Sequence, residues 1–288
     1  MTLLNRLKIY IALTRFDKPI GSYLLLWPTL WALWIASEGN PDLTLIIVFT
    51  LGVFLTRSAG CVINDIADRK IDGKVKRTAN RPLARKLIST REALALFTLL
   101  MGCAFFLVLL TTNSMTVYLS FIALGLALLY PFMKRFTQLP QLVLGAAFAF
   151  GIPMAFTATL EQLPIIAWQL YFAKILWTIA YDTMYAMVDR DDDLKIGVKS
   201  TAILFGAQDR LINGILQLLT LALLISVGLS ANLGSIYYVG LLGMAGLFVY
   251  QQYLIKDRKR DQCFKAFLNN HYAGLLVFVA IVLDYLSR

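Results

Sequence analysis

The sequence predicts an all-α, polytopic membrane protein of about nine transmembrane helices, and three observations carry that prediction. Of its 288 residues, 59% are hydrophobic and 15% charged, against about half and a quarter in soluble domains. The mean hydropathy is +0.69, which excludes a disordered chain and argues against an ordinary water-soluble enzyme. The apolar residues gather into blocks of about twenty, the length a helix needs to cross roughly 30 Å of hydrocarbon. The chain reads as one integral-membrane domain over residues 1–288.

Taken in order, Arg6, Lys8, Arg15 and Lys18 come first, with no short apolar run and small-residue cleavage site after them, so a removable signal peptide is not expected. The first block, near 19–37, places Trp27, Trp31 and Trp34 at i, i+4 and i+7, a stripe suited to core packing, an interfacial belt or a channel wall. The polar run Ser37-Glu38-Gly39-Asn40-Pro41 turns the chain into a second block, 43–63. A long connection, 64–92, leads to blocks at 93–111, 115–133, 141–160 and 163–181. A second long connection, 182–210, leads to blocks at 211–230, 235–255 and 271–286. Pro28, Pro131 and Pro153 lie inside blocks and predict kinks. The two long connections fall after blocks two and six, a hint of duplication without any repeat in residue identity.

Basic residues orient these spans. Nine lie in the first long connection: Arg69, Lys70, Lys74, Lys76, Arg77, Arg81, Arg85, Lys86 and Arg91. Lys134 and Arg135 follow block four, Arg190, Lys195, Lys199 and Arg210 follow block six, and five more lie between Lys256 and Lys265. With the four N-terminal ones, 24 of the 27 basic residues fall on one side, while the opposite loops carry Glu38, Asp42 and Glu161 and no base. By the positive-inside rule the basic side is cytoplasmic, with the N-terminus inside and the C-terminus outside. The net charge of +10 is then a topology signal, and bases strung along successive loops make a poor nucleic-acid surface. Cys61, Cys103 and Cys263 share no ligand-like spacing and read as buried free thiols. The single histidine, His271, reads as structural or interfacial.

Both long connections open with carboxylates. In the first, Asn64, Asp68 and Asp72 are spaced four apart, so a helix continuing out of the second span would stack them on one face. In the second, Asp182, Asp189 and Asp193 stand at i, i+7 and i+11, again one face. Stacked like charges at a bilayer edge need neutralising. Ion pairs with Arg69, Lys70 and Arg190 would do this for a lone cluster. Two clusters on one membrane face point instead to a hard cation with oxygen ligands, and Mg²⁺ shares its shell readily with substrate phosphates. Two such helices facing each other would hold a diphosphate between metal ions.

These strings resemble the UbiA superfamily of intramembrane aromatic prenyltransferases. The resemblance covers nearly the whole chain: Arg15-Phe-Asp-Lys-Pro-Ile-Gly21, Asn64-Asp-x-x-Asp68-x-x-x-Asp72, Lys76-Arg-Thr-Ala-Asn-Arg-Pro-Leu83, Tyr130-Pro-Phe-Met-Lys-Arg135, and Tyr181-Asp-Thr-x-Tyr185 with Ala186-Met-Val-Asp-Arg-Asp-Asp-Asp193. The family pattern after Leu83 continues Pro-Ser-Gly, where this chain has Ala84-Arg85-Lys86, which leaves the shape of that loop open.

The resemblance implies a cytoplasm-facing active site in a bacterial inner membrane, with a polyprenyl diphosphate whose tail lies among the spans and membrane lipids. It implies 4-hydroxybenzoate as acceptor, in ubiquinone biosynthesis, and Mg²⁺ held by Asn64, Asp68, Asp72, Asp189 and Asp193. Lys134 and Arg135 are candidates to bind diphosphate oxygens, with Arg77 and Arg81 behind them. Arg57, inside the second span and seven residues before Asn64, is a candidate for the aromatic carboxylate or for pairing with the aspartates, and Arg15 is a second carboxylate candidate. Asp182 or Asp189, with Asp189 the favoured one, could orient or deprotonate the phenol. Lys174, also inside a span, has no evident partner in the sequence. No protein partner is indicated. The rival from another class is a secondary transporter of a cation or organic anion, whose site would sit near the midplane. A phosphatidyltransferase is disfavoured by the absence of its D-G-x-x-A-R pattern, and a superfamily member with another acceptor is the nearest alternative.

Overall fold

The computed structural model describes residues 3–74 and 76–288. Among the described residues twelve α-helices follow one another: α1 Leu3–Thr14, α2 Ile20–Ala36, α3 Leu43–Asp68, α4 Thr90–Thr111, α5 Ser114–Phe136, α6 Pro140–Ala149, α7 Gly151–Leu160, α8 Ile165–Ile196, α9 Thr201–Phe205, α10 Asp209–Ser230, α11 Ser235–Leu254 and α12 Arg260–Leu286. No strand occurs among the described residues. Seven segments are long and apolar enough to cross a membrane by length and composition, with α6 and α7 counted as one and α9 and α10 as another. The protein is an all-helical membrane protein. The apolar α2 has 17 residues, and α8, with 32, falls outside those seven.

Every apolar block of the sequence lies on a helix, but the helix ends depart from the blocks. α8 runs fifteen residues past the predicted 181 end, and its 32 residues at ~1.5 Å each give about 48 Å, well beyond a bilayer core. The excess carries the second acidic cluster. The block at 141–160 is two helices broken at Phe150, because Pro153 lacks an N–H for the carbonyl of Ala149 and its ring crowds that carbonyl. Gly151 meets Thr29 there: a Cβ at Gly151 would lie 2.6 Å from Thr29 Oγ1. α1 was not anticipated. Its Leu13 and Tyr10 pack towards α3 and α4, while Leu4, Leu7 and Ile11 stay exposed.

The core lies among α2, α3, α7, α8, α10, α11 and α12. Trp31 stacks on Trp177 at 5.5 Å and its Nε1 donates to the Gly274 carbonyl at 3.1 Å. Trp177 Nε1 donates to Asn270 Oδ1 at 2.8 Å. Such aromatic pairs contribute about 0.5–1.5 kcal/mol beyond area burial. Lys174 is buried here with Nζ 2.9 Å from the Tyr181 hydroxyl and over the rings of Trp177 and Tyr181. Trp27 donates to His271 Nδ1 at 3.1 Å, so the single histidine has a structural partner. The expectation of three buried thiols fails at Cys103, which is exposed on the outer face of α4; Cys61 and Cys263 are buried.

Candidate active site

The first acidic cluster sits where α3 ends. The helix stops at Asp68, so the predicted continuation that would carry Asp72 on the same face does not form; Asp72 instead starts a short 3₁₀ turn, Asp72–Lys74. The physical reason lies in what satisfies the terminal carbonyls. Arg135 Nη2 donates to the Ala67 carbonyl at 2.6 Å, the backbone closes back from Ile71 to Asp68 at 2.7 Å, and Thr78 Oγ1 donates to the Asp72 carbonyl at 2.8 Å. The chain therefore folds back and brings Asp72 to the cluster by another route. Arg81 Nη1 contacts both Asp65 Oδ1 at 3.1 Å and Asp72 Oδ1 at 2.9 Å. Burial pushes the Asp72 carboxyl up from its usual range against the pull of Arg81, and the nearby Asp65 and Asp68 add to the rise.

Asp65 is the residue the sequence reading passed over. It is 1% exposed and bonds Arg15 Nη2 at 2.5 Å. A spacing of three from Asp68 puts it on the same helical face, a signal hidden by attention to the i, i+4 series. Asn64 is half-buried beside it. Lys134, at the end of α5, pairs with Asp68 Oδ2. Asp65 Oδ2 and Asp68 Oδ1 are buried and find no hydrogen-bond partner among the described residues. Buried carboxylate oxygens left unpaired are costly, and an oxygen-only set of this kind suits a hard cation.

The second cluster lies on the unbroken α8, as its spacing predicted. Asp189 is held by Arg77 from the first long connection: Nε lies 3.0 Å from both carboxylate oxygens and Nη2 2.5 Å from Oδ2. The same guanidinium lies over the Tyr185 ring at 4.5 Å. Arg77 is thus a bridge from the loop of the first cluster to the helix of the second. Asp182 interacts with the Gln141 side chain and feels Arg57 and Arg77. Asp193 is half-buried, near Asp189, Lys134 and Arg77. Lys134 is therefore common to both clusters.

Among the substrate candidates, Arg15, Arg77 and Lys134 join the charge cluster. Arg135 does not: it is exposed, tied to the α3 C-terminus and packed over Phe132 at 5.5 Å. Arg57 Nη1 donates to Cys61 Sγ at 2.9 Å, and its guanidinium lies over Phe148 at 5.7 Å. Arg15 lies against the same thiol, so two guanidiniums converge on Cys61. No group of three carboxylate, thiol or imidazole side chains among the described residues is gathered tightly enough to hold an ion between them as they stand. Basic side chains pair with the carboxylates of both motifs: Arg15 with Asp65, Lys134 with Asp68, Arg81 with Asp72 and Arg77 with Asp189.

The loop between the motifs closes through a left-handed residue. Leu87 N donates to the Pro82 carbonyl at 2.9 Å and Lys86 N to the Leu83 carbonyl at 3.1 Å, the paired bonds of a Schellman turn, with Lys86 at φ 56°. This is the position where the family pattern has glycine.

The UbiA prenyltransferase family matches residues 25–280. The 4-hydroxybenzoate octaprenyltransferase of Aeromonas salmonicida is 62% identical over 277 residues, 96% of each chain. The protein of the same name from Yersinia enterocolitica is 61% identical over 282 residues, 98% of each chain. A solved apo structure of a UbiA homolog from Aeropyrum pernix has a TM-score of 0.79 at 27% identity, covering 90% of this chain and 97% of its own. A UbiA homolog from Archaeoglobus fulgidus bound to GPP and Mg²⁺ shares the fold, with a TM-score of 0.75 at 19% identity over 97% of this chain and all of its own, 100%. Two acidic motifs brought to one end of a helical bundle, on a chain matched along almost all of its length, lead to one conclusion: the chain belongs to the UbiA prenyltransferase family.

Proposed function

We infer that the protein transfers a polyprenyl chain from polyprenyl diphosphate to the ring carbon beside the hydroxyl of 4-hydroxybenzoate, releasing diphosphate, in ubiquinone biosynthesis. The observation that carries this reading is the meeting of both acidic motifs with Arg77, Arg81 and Lys134, where Asp65 Oδ2 and Asp68 Oδ1 are left unpaired in the interior. The names of the 61–62% identical relatives support the acceptor.

The oxygen donor set fits Mg²⁺, with Asn64, Asp68 and Asp72 from the first motif, Asp65 beside them, and Asp189 and Asp193 from the second as the residues that would hold it. When bound, Mg²⁺ neutralises diphosphate charge and favours its departure. Lys134, Arg77 and Arg81 exchange their carboxylate partners for diphosphate oxygens, which keeps every buried charge paired as the donor enters. Arg57, with Arg15 nearby, holds the acceptor carboxylate. Asp182, which is not among the residues that would hold Mg²⁺, orients the phenol and draws on its proton. The allylic C–O bond breaks with its electron pair leaving on diphosphate. Ring electrons form the new C–C bond, the ring proton passes to the released diphosphate, and the proton held by Asp182 returns to the phenol oxygen. No covalent enzyme intermediate is needed.

The whole chain acts as one catalytic unit, with nine spans in a bacterial inner membrane, the N-terminus and both motifs facing the cytoplasm and the C-terminus outside. The carboxylates stand at one end of the bundle, away from the midplane where a transporter would bind. Purified protein in detergent, given Mg²⁺, a prenyl diphosphate and a panel of phenolic acids, should yield C-prenylated 4-hydroxybenzoate by mass spectrometry. Absence of any prenylated product from an intact, folded preparation refutes the reading.

A further inference from the structure

The string that leads into α2, Pro19-Ile20-Gly21, has no role in the chemistry above. Gly21 falls in the first turn of α2 at an ordinary helical φ, so no backbone conformation requires glycine there. Alanine would be the better helix former. What distinguishes the position is its neighbour. A Cβ built on Gly21 would lie 2.6 Å from Arg57 Nη2, 2.8 Å from Nε and 3.1 Å from Cζ, so the three nearest atoms all belong to one guanidinium. Elsewhere on α3, Gly52 and Gly60 have open space. On its other contacts the same guanidinium is held by Cys61 Sγ at 2.9 Å and lies over Phe148 at 5.7 Å. Arg57 is thus seated by α2, its own helix α3, and α6.

We propose that Gly21 is a positioning residue for the acceptor: the missing side chain fixes where the Arg57 guanidinium points, and thereby sets affinity for the aromatic carboxylate. The proposal rests on the reading of Arg57 as the carboxylate-binding residue. A methyl group at position 21 meets the far end of a flexible side chain, so the fold survives while the guanidinium is displaced.

The test compares Gly21→Ala, Arg57→Ala and the double variant in detergent, measuring KM for 4-hydroxybenzoate and for the prenyl diphosphate separately. Gly246→Ala, at a site with open space, is the control. Gly21→Ala should raise KM for the acid by about tenfold or more and leave the donor's within about twofold. The double variant should match Arg57→Ala, since nothing remains for the methyl group to displace. Arg57→Lys in the Gly21→Ala background, with a slimmer head group, should recover part of the loss. Equal effects on both substrates, or a double variant whose losses multiply, overturns the proposal. An unchanged acid KM in Gly21→Ala beside a raised one in Arg57→Ala also overturns it while leaving the Arg57 reading intact. An unchanged acid KM in Arg57→Ala removes that reading, and the proposal with it, although prenyl transfer persists. If Gly21→Ala does not fold, the double variant should; failure of both assigns the space to packing alone and refutes the idea.

Discussion

Asp68→Asn separates a ligand from a structural ion pair more sharply than any other single change. Asp68 Oδ2 accepts from Lys134, while Oδ1 is buried without a partner. Asparagine has the same shape. To keep the Lys134 bond its amide oxygen must take the Oδ2 position, which forces the amide nitrogen into the place of Oδ1. A donor then stands where a cation needs an acceptor. The fold exchanges an ion pair for an ammonium–amide hydrogen bond, a loss of about 1 kcal/mol for this partly exposed pair. Loss of one group that stabilises charge in a dry site costs about 3–4 kcal/mol of activation free energy, or roughly 10²–10³ in turnover. Asp189→Asn differs, because both of its oxygens accept from Arg77 and an amide can accept through only one. It should lose more stability, about 2 kcal/mol, as well as turnover. Initial rates at several Mg²⁺ concentrations, with thermal unfolding of the same preparations, give both quantities. If the two motifs act as one unit, the double variant should be little worse than the worse single one, and raised Mg²⁺ should recover part of the activity of Asp68→Asn. Multiplicative losses insensitive to Mg²⁺, or a stability loss in Asp68→Asn large enough to explain its rate, refute the reasoning.

Two further outcomes follow from the loops. Lys86→Gly should raise stability by about 1 kcal/mol, because a side chain in the left-handed region is strained where glycine is not; an unchanged or lower Tm contradicts the Schellman assignment. Cysteines placed at Lys76 and Lys195, in a background without Cys61, Cys103 and Cys263, should react with an impermeant reagent only when the cytoplasmic face is exposed, and labelling from outside intact cells refutes the orientation.

Much of the bundle was legible in residue type, since hydrophobic blocks record membrane depth directly. The helix ends were not, because partners distant in the chain decide them. α3 stops at Asp68 where Arg135 takes the Ala67 carbonyl, and no local pattern around Asp68 announces that partner. The spacing of the second motif was readable because α8 is unbroken there, although the helix runs on past the expected end at 181 to carry it. Asp65 had a local signal, its spacing of three from Asp68, but that Arg81 joins it to Asp72 depends on a fold-back that no local pattern records. Cys103 shows the limit of equating apolar neighbours with burial, because a helix facing lipid exposes apolar and thiol side chains alike.

The continuity of α8 has a consequence for how this chain tolerates change. Trp177 is locked by Trp31 and Asn270, and Asp189 lies twelve residues further along the same uninterrupted helix. With about 100° of rotation per residue, the azimuth of Asp189 is set by the phase of a tryptophan roughly 18 Å away. One residue inserted between them would swing both Asp189 and Asp193 off the site while altering no residue that touches substrate. The stretch from Trp177 to Asp189 works as a ruler whose length must be conserved even where its letters need not be, and length variation is free to accumulate only past Gly197, where the helix has ended.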